Sequence, residues 1–268
     1  MAIEFNPNEL VLERIRAVEE YDPATSELVG RYTQIEEPTL NLSAEGTEVV
    51  DAMGATIATF YNAQKGTFGF NNSLFSLDLA ASQFGGKKIV ATSDAKIKMP
   101  VSEILTIGED HTATLKYTPV GVKGSEIKYV KLINSNNTFG KTYTVTSTEP
   151  SGEQFKLEAA SKKLTFPADA KGRIFINYTK ETETAVQVDK TTTGVPQVKT
   201  LQIHAIFHDP CNTNLVYSGV IYVPRAQIDP SSIDLNLTPD GKHAASYLLN
   251  KEYCSEEGKL LTIFVSED

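Results

Sequence analysis

The chain has 268 residues, 40% hydrophobic and 22% charged, enough for one large domain or two smaller ones with a packed core, and ordinary for a folded soluble protein. Its formal charge of −9 argues against nonspecific wrapping of nucleic acid, whose phosphates recruit Lys and Arg. No stretch approaches the ~18 apolar residues of a membrane span, "MAIEFNPNEL" lacks the pattern of a secretory signal, and Cys211 and Cys254 alone make no disulfide framework. Tryptophan is absent, while Thr, Val, Ile, Tyr and Phe recur in short runs that favour strands.

"ERIRAVEE" (13–20) reads as a partly exposed strand, with Ile15 and Ala17 on one side and Arg14, Arg16 and Val18 on the other. "YDPATSELVG" (21–30) is turn chemistry. From Thr39 the chain alternates again, with Leu40 and Leu42 facing one way, and Pro38 predicts an edge position or a break between strands. "ATIATFYN" (55–62) and "GTFGFNN" (66–72) predict a hairpin turning at "AQKG". A helix follows over about 72–84, where Leu74, Leu77, Leu79 and Phe84 recur at helical spacing. Asn72 or Ser73 caps its start, and Gly85-Gly86 ends it. Its apolar stripe requires a sheet to lie on.

From 109 to 192 the texture changes to short strands separated by turns: "TATLKYT", "IKYVKLI", "KTYTVTS", "EQFKLEA", "KKLTFP" and "RIFINYT". Such spacing suggests a small sandwich or barrel. A larger sheet resumes with "VKTLQIHAIFHD" (198–209), "NLVYSGVIYVP" (214–224) and "SSIDLNLTPDG" (231–241). The apolar run Leu260–Val265 reads as a central strand buried on both faces. The fold class expected is therefore mainly β: an antiparallel β-sandwich or barrel, residues 1–107 plus 195–268, with one flanking helix and an inserted small β domain at 108–194.

The segment "LQIHAIFHDPC" (201–211) holds two of the four histidines. On a strand, His204 and His208 share a face with Gln202 and Ile206, opposite Leu201, Ile203, Ala205 and Phe207. Four residues of strand separate the two histidines by roughly 13 Å, too far for both to ligate one zinc at ~2.0–2.1 Å. A metal site there would also need Cys211, with Cys254 or His243 brought close by the fold. No phosphate loop, dinucleotide fingerprint, nucleophile elbow or zinc-protease motif occurs. Glu19-Glu20 and Glu36-Glu37 are adjacent pairs whose members point to opposite faces, so neither converges on a substrate; both read as solvated surface. Asp51 and Gly54 in "VVDAMG" read as a turn. No catalytic residue, metal or cofactor is expected, and the chain does not read as an enzyme.

The layout resembles the major tail proteins, or tail tube proteins, of long-tailed bacteriophages. The likeness is carried by "ERIRAVEEYD", "PTLNLSAEGTEVVDAMGATIATF", the helix "SLFSLDLAASQFGG", and the end "HDPC…YSGVIYVPRAQI…IDLNLTPDGKHAASYLLNKEYCSEEGKLLTIFV". It covers most of 10–107 and 195–268, and more loosely the insertion. It implies a virion protein, assembled in the host cytoplasm, whose copies form six-membered rings that stack into a tube. It also implies other tail proteins as partners: tape measure, terminator and distal tail. Double-stranded DNA would pass along the lumen without specific binding, and an acidic lining would let phosphates slide. Glu13, Glu19, Glu36 and Glu37 are the candidate lumen-facing acids.

Two other readings compete. One is a carbohydrate- or receptor-binding β-sandwich, for which Tyr61, Tyr129, Tyr143, Tyr178, Tyr217 and Tyr222 would supply an aromatic platform. The other is a metal-dependent enzyme built on His204, His208 and Cys211.

Overall fold

The computed structural model describes residues 8–252 and 258–267. The protein is mainly β, with antiparallel sheets, one of them barrel-like and nearly closed, and one α-helix. In chain order the elements are β1 (Val11–Tyr21), β2 (Leu28–Tyr32), β3 (Ile35–Val50), β4 (Thr56–Asn72), α1 (Leu77–Phe84), β5 (Lys88–Val90), β6 (Ile97–Ile107), β7 (Thr112–Thr114) and β8 (Tyr129–Ile133). They continue with β9 (Phe139–Thr146), β10 (Gln154–Glu158), β11 (Lys163–Thr165), β12 (Gly172–Thr182), β13 (Val186–Val188), β14 (Val198–His208), β15 (Val216–Ile228), β16 (His243–Leu249) and β17 (Thr262–Ser266). The chain forms two compact units, residues 1–88 with 188–268, and residues 89–187.

In the first unit the sheet order is β2-β1-β14-β15-β16-β4-β3, with β17 added on β15. β15 is long enough to serve two neighbours on one side, β17 at Ser218–Tyr222 and β16 at Ala226–Ile228. β1 approaches β3, so the sheet curls almost to closure. Alternation along β14 sends Leu201, Ile203 and Ala205 inward, where they meet Val18, Phe68, Phe70, Val223, Tyr247 and Leu79 of α1. Tyr32, Phe70, Phe68 and Tyr247 stack through this core with centroids 5.7–6.2 Å apart.

Several expectations are corrected here. The helix starts at Leu77, because Ser76 takes extended backbone and its hydroxyl accepts the Leu79 N–H at 3.2 Å; Asn72 still belongs to β4. Its end at Gly85 is as expected, with φ +69°. There is no turn at "AQKG": residues 56–72 form one strand, paired along its length with β3. Pro38 does not break β3 but falls at a bulge between Glu36 and Thr39, on a strand at the end of the sheet path. Residues 231–241 hold a 3-10 turn and a single bridge, Leu235 to His243, and Leu237 is 84% exposed. The terminal run is not a central strand either: β17 pairs only with β15, and Ile263 and Phe264 are exposed. Hydrophobicity alone does not distinguish a strand buried inside a subunit from one left bare.

The second unit is a seven-stranded sheet in the order β6-β12-β8-β9-β10-β11-β7, whose one parallel pair is β9 with β10. The end strands β6 and β7 follow one another in the chain and lie close, so this sheet also curls. The strands expected from "TATLKYT" to "RIFINYT" all form. The unit begins earlier than 108, because β6 pairs over its whole length with β12, from Ile97 opposite Thr182 to Ile107 opposite Gly172. Apolar residues on both faces of β6, Val101 and Leu105 inward and Ile104 outward, hide its alternation in the sequence. Its core gathers Leu115, Ile127, Val130, Phe155, Leu164, Ile174 and Ile176.

Candidate interaction surfaces

The four candidate lumen acids are all partnered and lie in two groups. Glu13 and Glu19 sit on β1 beside the polar face of β14. Glu13 Oε2 lies 2.6 Å from His208 Nε2, and this hydrogen bond holds the Glu13 carboxyl below its usual range. Burial opposes ionisation of Glu19, yet bonds from Tyr21 (2.6 Å), His204 (3.1 Å) and Arg31 (2.9 Å) leave its pKa lowered. Glu36 and Glu37 lie at the β3 bulge and share Lys242, at 2.5 and 3.7 Å. The Lys242 bond, joined by the Ser73 hydroxyl, lowers the Glu36 pKa. Glu37 also accepts from Asn71 at 2.7 Å.

Glu20 corrects the solvated reading of its pair. It is fully buried, and its carboxyl accepts hydrogen bonds from Tyr247 Oη (2.5 Å) and Ser82 Oγ (2.6 Å). Bulges in β1 after Leu12 and Ile15 break the alternation, so Val18 and Glu20, opposite Ile203 and Leu201, turn inward. Burial raises the Glu20 pKa, against hydrogen bonds from Ser82 and Tyr247 that lower it. It ties β1 to α1 and β16.

The 201–211 segment holds no converged ligand set. His204 and His208 face glutamates at different positions of β1. His208 is hydrogen-bonded at both nitrogens, to Glu13 and to the Thr213 carbonyl (2.8 Å), and its pKa is raised, first by Glu13. Asp209 Oδ1 accepts the backbone N–H groups of Cys211 and Asn212, placing Cys211 exposed in a turn. His243 is buried elsewhere, under Phe75 and α1. Cys254 lies outside the described residues. Among the described residues no three His, Cys, Asp or Glu side chains gather as a metal site, and no helix is long and apolar enough to cross a membrane.

The six candidate tyrosines do not form one platform. Tyr143, Tyr178 and Tyr217 are buried, Tyr222 is half-buried, and only Tyr61 and Tyr129 are well exposed, one in each unit.

The most distinctive surface is one the sequence reading missed. β16 supports β4 only over Gly66–Asn72. Beyond it, among the described residues, 43–50 of β3 and 56–65 of β4 pair only with each other, extending roughly 25 Å at ~3.3 Å per residue. Asp51 makes the tip, accepting the N–H groups of Met53 and Ala55 at 2.8 Å, and Gly54 takes φ +85°. This arm exposes Val49, Val50, Met53, Ile57, Phe60 and Tyr61. Thr47 opposite Phe60, and Gly46 opposite Tyr61, put those two aromatics on opposite faces. An isolated two-stranded hairpin is marginal in water, and bare edges with apolar faces invite pairing. The turn read from Asp51 and Gly54 is therefore the tip; the pairing of the two flanking strands with each other is what the sequence did not show. At the other margin of the barrel, an open cleft of about 390 Å³ separates β1 from the start of β3, lined by Arg14, Ile15, Arg16, Gln34, Ile35 and Glu36. Comparison with protein-family models and with curated proteins finds no match.

Proposed function

We propose that this chain is a structural subunit that works by self-assembly, a tail-tube-type protein whose copies form rings that stack into a tube. The observation that carries the reading is the β3–β4 arm, with two edges unpaired among the described residues and apolar residues on both faces. Full burial of such a side chain is worth on the order of 1.5–3 kcal/mol, a driving force that a covering surface would use against the cost of association. The half-exposed β17 and the open cleft beside β1 supply further unfinished margins. Charge distribution agrees: residues 1–88 and 188–268 carry 23 acidic against 12 basic residues, net −11, whereas 89–187 carry 11 against 13, net +2. An acidic barrel unit suits a lumen along which double-stranded DNA moves without sticking. The paired states of Glu13, Glu19, Glu36 and Glu37 mean that any repulsion comes from the unit's net charge rather than from those four acids. In this reading the protein acts in a virion tail, beside other tail proteins, with no chemistry of its own. Negative-stain micrographs of the concentrated protein test it: stacked rings or tubes are expected, and monomers at every concentration would refute it.

A further inference from the structure

We propose that the outer face of the 89–187 sheet receives the β3–β4 arm of a second copy; this rests on the assembly reading above and names the surface that covers the arm. The face is built from neighbouring strands. Phe175 on β12 lies opposite Ile104 on β6 and Lys131 on β8, and Ile133 lies opposite Phe139 on β9. Phe139 meets Phe175 edge-on, with centroids 5.5 Å apart. Ile104 and Phe139 are 59% and 58% exposed, an unusual cost for the solvent side of a small sheet unless something covers it.

The charges on this face select the occupant. Lys131 reaches over the Phe139 ring at 5.9 Å, and Arg173 flanks the patch, bonded to Asn137. The arm is complementary: with Glu45 paired to Lys65, residues 41–65 still carry Glu48 and Asp51, beside exposed Phe60, Tyr61, Val49 and Ile57. An acidic apolar ribbon and a basic aromatic sheet face match in charge sign and in apolar character. Every copy carries both, so the contact is head-to-tail and can propagate.

The test uses the full chain. A photoreactive benzoylphenylalanine replaces Phe60, and separately Tyr61, so that each face of the arm is probed. Heavy and light isotopic copies are mixed, assembled and irradiated. Crosslinks between copies that map to residues 97–107 or 129–142 are expected from at least one position. Alongside, Glu48→Lys and Lys131→Glu should each weaken assembly by at least about tenfold, and the double variant should recover it, which a merely misfolded single variant would not allow. Crosslinks only to other segments, none at all, or single variants that assemble like wild type would overturn the proposal. If tubes form but the crosslinks fall elsewhere, this inference fails while the tube reading stands; if nothing assembles, both fail.

Discussion

Glu20, His208 and His243 show how burial and partners shift a pKa in opposite directions. Glu20 is sealed between Tyr247 and Ser82, and burial raises its pKa. The folded state therefore keeps a proton that the unfolded chain loses, so stability falls as pH rises above the ordinary carboxylate value. Glu20→Gln keeps the volume and an acceptor, and should flatten this dependence in urea titrations across pH. Glu20→Ala should cost on the order of 2–4 kcal/mol by stranding two hydroxyls. His208 and His243 behave oppositely. The His208 pKa is raised by Glu13, so the stability of that pair is present below the free imidazole value and lost as pH rises through the raised one. His243 is lowered by burial; its Nδ1 accepts the Ser76 N–H at 3.2 Å and its Nε2 lies 2.9 Å from Gln83 Oε1. Its contribution is present above the free value and lost as pH falls through the lowered one. NMR titration should find His208 above and His243 below the ordinary histidine pKa.

At the scale of elements, α1 depends on its ends. Gly85 sits at φ +69°, and a Cβ there would fall 2.0 Å from the Val195 carbonyl oxygen. Gly85→Ala should cost about 1–3 kcal/mol from the left-handed backbone alone, and more from the clash, read as a lowered melting midpoint. This cap was legible in the sequence because glycine chemistry is local. So were β14 and the short strands from 112 to 179, whose alternation matches one buried face. The arm, β6 and β17 were not. Each carries apolar residues on a face the subunit does not bury, and periodicity reports which residues avoid water, not which molecule shelters them. Glu20 was missed for a related reason: bulges in β1 shift the inward face by one residue, and nothing in "RAVEEY" announces them. The partners of the candidate acids, His204, His208 and Lys242, come from distant sequence and could not be read from it.

For the whole molecule, the unfinished features lie in both units: an acidic unit with a bare hairpin and an open barrel margin, and a slightly basic unit with an apolar sheet face. Head-to-tail association of these surfaces would bury what each copy leaves exposed, without a pocket or a reacting group. The arm is a part that can be removed with little harm to the core, since, among the described residues, 43–50 and 56–65 have strand pairing only with each other. Replacing residues 44–64 by an Asn-Gly turn leaves both core clusters intact. The decisive measurement is electron microscopy of this shortened variant beside the wild type at equal concentration. The account predicts rings or tubes for the wild type and folded single subunits for the variant. A shortened protein that builds the same assemblies would contradict it.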